Sequence, residues 1–153
     1  MSSTNVSYFK IHPGFNPEWI KRAVDIGDKA VIIEGYVCGT VPTESRRYGL
    51  LPAIIYATSR QVPVFLISAT QKPDEEGYSL RVGYASQVEA IKAGIIPLET
   101  PTSLDLPEVL RTLEEILNQS DGMSVVRKKM IDRFCKPGYD DRIANDMQKV
   151  ITL

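Results

Sequence analysis

Histidine and cysteine are scarce. Of 153 residues one is histidine, His12, and two are cysteine, Cys38 and Cys135. A structural zinc site takes about four nitrogen or sulfur ligands, so a metal centre is not expected. Two cysteines do not make a disulfide framework for a domain of this size, and both read as reduced thiols. An excess of one charge is missing too: 18 basic against 19 acidic side chains leave a formal net charge of −1. No global positive field exists to collect phosphate backbones or anionic lipid, so nucleic acid is not expected as a direct partner. No apolar run approaches the roughly 20 residues that cross a bilayer. The opening MSSTNVSYFK lacks the charged-then-apolar order of a signal peptide. A cytoplasmic chain with no membrane association is the expectation. No GxGxxG or P-loop occurs, and Gly35 and Gly39 enclose only YVC, too short for a dinucleotide fingerprint. No cofactor is implied.

What is present is a repeated strand–helix pattern. With 43% hydrophobic residues the chain can bury one good core. Residues 6–11 alternate and are rich in aromatic and β-branched types, which predicts a strand. Asn16 as N-cap and Pro17 as first helical residue open a helix whose stripe is Trp19, Ile20, Ala23 and Val24. Residues 30–33 form the next strand, and their short links favour parallel pairing. Residues 50–58 read as a helix with Leu51, Ile54 and Ile55 at helical spacing, and 62–67 as a continuous apolar strand suited to a sheet covered on both faces. A polar loop, 68–77, is a candidate lid or rim. A helix at 84–93 ending at Gly94, a short edge strand at 95–98 containing Pro97, a turn at 100–107 and an amphipathic helix through Val109, Leu113 and Leu117 complete the cycle. The fold class is therefore α/β: a three-layer, Rossmann-like parallel sheet of about four strands with flanking helices. Beyond Asn118 the texture changes to a helical tail. Val126, Met130 and Phe134 recur at i, i+4, i+8, and a further helix from Asp140 is expected to turn Ile143, Met147, Val150 and Ile151 inward. The expected division is a domain at 6–118 and an extension at 119–153. The extension either packs back on the domain or serves as a docking arm.

The loops at the carboxyl ends of the strands are where small ligands bind in open α/β sheets. Here they bring together His12, Glu34, Tyr36, Cys38, Thr40, Thr70, Gln71 and Thr100. This is a neutral hydrogen-bonding rim with one acid, suited to a small amide or amino acid. It contains no evident activated nucleophile. His12, flanked by proline, reads more readily as a turn residue than as a base. The paired carboxylates Glu75-Glu76 and Asp140-Asp141 lie in polar segments where solvation is the default.

The order FKIHPGFNPEWIKRAVDIGDKAVIIEGYVCGTVP, VPVFLISATQ, GYASQVEAIKAGIIP and a closing amphipathic helix resembles the carboxyl-terminal domain of type I L-asparaginases and of the related D component of archaeal glutamyl-tRNA amidotransferase. The resemblance covers about residues 6–118 and lies in order and spacing rather than in one motif. It implies a two-domain enzyme whose amino-terminal domain carries the catalytic threonines in TGGTI-like and TDT-like segments. Neither segment is present in this sequence. It further implies a homodimer in which loops of this domain close a neighbouring amide site. Carried over by position, the binding residues would be Glu34, Tyr36, Gly39, Thr40, Thr70 and Gln71, with no catalytic residue and no metal ligand. Several positions depart from the family pattern: Thr40 replaces an asparagine, Lys72 a cysteine, Ser103-Leu104-Asp105 a DMT segment, and Thr112 a lysine.

Two functions follow as expectations. In the first, the chain is the carboxyl-terminal domain or split subunit of an asparaginase/glutaminase-like amidohydrolase, inactive alone and completed by a partner that supplies the amino-terminal domain. In the second, it is a non-enzymatic module derived from that domain, retained for amino-acid binding or assembly.

Overall fold

The computed structural model describes residues 5–36, 40–43, 49–68, 72–119 and 122–152. The elements are β1 (Val6–Lys10), α1 (Glu18–Asp25), β2 (Ala30–Gly35), α2 (Leu51–Ser59), β3 (Val64–Ser68), α3 (Ala85–Ala93), β4 (Ile95–Thr102), a 3-10 turn (Ser103–Asp105), α4 (Leu106–Gln119), α5 (Met123–Phe134) and α6 (Tyr139–Ile151). Among the described residues the four strands form one sheet in the order β1-β2-β3-β4, with every neighbouring pair parallel.

That order has a consequence for layering. Right-handed crossovers that always step the same way put successive helices on one face of a sheet. Ile20, Ala23 and Val24 of α1 and Ala53, Ile54 and Ala57 of α2 accordingly pack on Val31, Ile33, Val64 and Leu66. The opposite face, carrying Ala30, Ile32, Phe65 and Ile67, is covered by Val109 and Leu113 of α4, Val126, Met130 and Phe134 of α5, and Ile143 of α6. Two covered faces explain why every residue of β2 and β3 is buried and why those strands read as unbroken apolar runs.

Helix boundaries follow local chemistry. Asn16 Oδ1 accepts the Glu18 backbone N–H at 3.0 Å, although the regular helix starts two residues after it. Gly94 closes α3 at φ 120°, and a Cβ there would collide with Thr58 Oγ1 on α2 and lie 2.8 Å from Thr58 Cγ2. Only glycine satisfies both the left-handed backbone and the close approach.

Four expectations need correction. Trp19, Ile55 and Ile151 are exposed by 52%, 53% and 54%, so the buried stripes of α1, α2 and α6 are narrower than the 3.6-residue period suggested. The last strand is longer than 95–98: it runs to Thr102, and Asp105 Oδ2 accepts the Thr102 N–H at 2.8 Å before α4 starts.

Being at the edge, β4 would leave its outer carbonyls open to pairing with another chain. Tyr139 donates its hydroxyl to Pro97 O, and Ser79 donates its own to Glu99 O. The α5–α6 tail and the β3–α3 connection thus cover this edge together.

Candidate functional site at the carboxyl ends of the strands

Glu34 is the one charged residue of the buried strand β2. It follows Ala30 and Ile32 in side-chain parity, stands opposite Lys10 in the β1 register, and is 1% exposed. Burying a carboxylate is costly unless it is paired. Lys10 Nζ lies 3.5 Å from its Oε2, with the lysine itself 71% exposed. Tyr8 flanks it on the same face, and its pKa is raised first by burial, then by the charge of Glu34 and a hydrogen bond to it. Glu34 Oε1 has no hydrogen-bond partner among the described residues. A solvated lysine and a single phenol leave this acid with an open acceptor near the carboxyl end of β2, on the Ala30 and Ile32 face of the sheet.

That loop turns back at once. Tyr36 N–H donates to Thr40 O at 2.9 Å. A Cβ on Gly35 would meet Thr40 O at 2.8 Å and Leu66 Cδ1 at 2.9 Å, so the glycine is required by close backbone approach rather than by an unusual φ. Val41 is buried and pins the returning chain, whereas Tyr36 is 37% exposed and Thr40 half-buried. Gly35 pairs with Ser68 in the β2–β3 register, so the exits of the two strands are side by side. Of the residues expected at the rim, Tyr36 and Thr40 therefore lie at the β2 exit, and Glu34 is buried just before it, on the face of the sheet opposite the one against which the turn packs. Gly39, Thr70 and Gln71, with Cys38, lie outside the described residues. Thr100 belongs to β4.

His12 is exposed, with Nδ1 3.0 Å from Pro13 O and its ring edge-on to Phe15. It is a turn residue in this structure. Ser7 donates its hydroxyl to Asp28, but Ser7 is near the amino end of β1, the opposite end of the sheet from the rim, and no histidine accompanies the pair. Cys135 is a free thiol whose pKa is pushed up to about 12, chiefly by burial, which suppresses the nucleophilic thiolate at neutral pH. Glu76 pairs with Arg81 at 2.9 Å and Asp140 with Arg127 at 2.7 Å, both as solvated ion pairs. Among the described residues no group of three histidine, cysteine or carboxylate side chains could hold a metal, and no helix is long and apolar enough to cross a membrane.

Sequence reasoning missed the partners of Glu34. The signal was available in principle, because Tyr8 and Lys10 sit two residues apart on a strand that must lie beside β2. It also missed the buried pair of Glu99 and Arg142, 2.6 Å apart, which no local pattern announces.

Comparison with known proteins fits this geometry. The family described as glutaminase/asparaginase C-terminal domain matches residues 5–130. The D component of glutamyl-tRNA(Gln) amidotransferase from Thermococcus kodakarensis is 31% identical over 130 residues, 84% of this chain and 27% of the relative. Its counterpart in Pyrococcus abyssi is 30% identical over the same shares. The chain thus spans about a quarter of the length of these relatives. L-asparaginase I from Vibrio cholerae superposes with a TM-score of 0.67 at 22% identity, over 84% of this chain and 36% of that one, which supports the same fold. By a match that spans residues 5–130, this chain belongs to the glutaminase/asparaginase C-terminal domain family.

Proposed function

We propose that this domain closes the ligand site of an asparaginase/glutaminase-like amidohydrolase whose nucleophile is supplied by another domain or chain. The observation that carries the proposal is Glu34, buried at the carboxyl end of β2 one residue before Gly35, with Oε1 unpartnered among the described residues. A buried acceptor without a donor costs about 1–3 kcal/mol, which a ligand ammonium or amide N–H would recover. Tyr36 and Thr40 at the same strand exit would complete the cradle, and Gly39, Thr70 and Gln71 are proposed as further ligand contacts. The described residues offer no threonine, serine or cysteine in contact with the chain's only imidazole, which supports placing the attacking group elsewhere. An amide or amino-acid ligand, pairing of two copies and a cytoplasmic setting belong to the same proposal. No cofactor enters it.

The test is thermal unfolding with single amino acids and their amides. A ligand at 100 times its Kd stabilises by about 2.7 kcal/mol, and Glu34→Gln should abolish that shift while leaving the unliganded domain folded. Absence of any shift for the wild-type chain would remove ligand closure from the account.

A second reading is favoured by Thr40 and Lys72, which stand where the family pattern has asparagine and cysteine. They change the rim's chemistry while the scaffold residues stay, as expected of a module kept for assembly or for a different amino acid. Restoring Thr40→Asn separates the readings: tighter asparagine binding supports the amidohydrolase site, and no change supports the module.

A further inference from the structure

Residues 72–84 join β3 to α3 with the sequence KPDEEGYSLRVGY, and they form turns and bends without helix or strand until α3 begins. Their tip organises itself around Asp74, which accepts the N–H groups of Glu76 and Tyr78 at 2.9 Å each and Arg81 Nε at 2.7 Å. Both limbs are then held from the far end of the chain. Lys136 Nζ donates to Gly77 O. The Arg142 guanidinium lies 4.0 Å from the centre of the Tyr78 ring while donating to Glu99 Oε1 at 2.6 Å. Asp146 Oδ2 accepts the buried Val82 N–H at 3.1 Å, and its Oδ1 is 3.5 Å from Arg81 Nη1. Lys136 N–H in turn donates to Glu99 Oε2 at 2.7 Å.

We propose that Lys136, Arg142 and Asp146 are a clamp by which the carboxyl-terminal helices fix the conformation of the β3–α3 connection, and that they are positioning residues for the rim that this connection leaves. Arg142 and Asp146 are one helical turn apart and share a face of α6, so both reach the connection at once. Val82 makes the coupling strong. Its buried N–H needs an acceptor, and Asp146 provides one from 64 residues away. The connection cannot leave its position without either orphaning that donor or opening to water. The clamp's tail residues also all lie beyond residue 130, where the family match ends. The clamp acts on the segment directly following Thr70 and Gln71 in the sequence.

Hydrogen exchange on the full unliganded chain tests it. Asp146→Ala should speed exchange of amides in residues 74–83 by roughly tenfold or more, the size expected for losing a charge-assisted hydrogen bond. Amides of β2 and β3 should keep their wild-type rates. If Asp146→Ala does not fold, Lys136→Met, at an exposed lysine, gives the same reading around Gly77 and Tyr78, and Lys136→Arg should restore protection. Equal acceleration in the loop and the central strands would reduce these contacts to ordinary packing and overturn the proposal, as would unchanged loop rates. The effect on ligand affinity rests on the function proposed above. Because exchange is measured without ligand, a clamp that holds in a chain that binds nothing would count against that function alone.

Discussion

Replacing Arg142 by methionine should destabilise the domain by about 3–5 kcal/mol, the usual cost of leaving one member of a buried ion pair without its partner. Glu99 is fully buried and Arg142 is 10% exposed, so solvent cannot compensate the stranded carboxylate. After the substitution Glu99 would retain the Lys136 N–H at 2.7 Å and lose its counter-charge. The double variant Glu99→Gln/Arg142→Met should recover much of the loss, because glutamine keeps an oxygen for Lys136 and carries no charge, while methionine fills the arginine stem's volume. Urea unfolding at constant m-value gives both numbers, and the four proteins form a double-mutant cycle whose coupling term should be about 1–3 kcal/mol. A loss below about 1 kcal/mol for Arg142→Met, or additive single effects, would refute the claim that this pair holds the tail to β4.

Gly35→Ala should cost about 1–3 kcal/mol, since its methyl would need Thr40 O, 2.8 Å away, to move; chemical denaturation measures it, and a neutral result would mean the turn is looser than its geometry. Cys135, with its pKa near 12 against an ordinary 9.0, should react with iodoacetamide at pH 8 about a thousandfold more slowly than an unhindered thiol, read by mass spectrometry of the Cys135 peptide. Because the folded thiol binds its proton more tightly than the unfolded one, stability attributable to it is intact below pH 9.0 and falls as pH rises from there toward about 12. Tail truncation after Gln119 should lower the urea midpoint sharply, since Val126, Met130, Phe134 and Ile143 would leave the second core.

The layers were legible in the sequence because their causes are local. Runs such as residues 62–67 are apolar on both sides since both faces are covered, and Val126, Met130 and Phe134 mark one helix face by spacing alone. Misreadings occurred where a tertiary contact decided the outcome. Trp19, Ile55 and Ile151 lie at the margins of apolar stripes, and spacing does not reveal how wide a face the sheet covers. Glu99 interrupts the apolar pattern of β4 and hides its continuation to Thr102, because its counter-charge lies 43 residues on. Glu34 was readable as an acid near the rim, but its burial depends on sharing strand parity with Ala30 and Ile32. The clamp was not legible at all: a polar insertion and a charged tail each look like solvated surface until the fold brings them together.

The most direct measurement of the central claim is ammonia release from asparagine and glutamine by the purified chain, with and without an added amino-terminal asparaginase domain. The account predicts none from the chain alone. Turnover by the isolated chain that disappears on substituting one of its own serines, threonines or cysteines would contradict it.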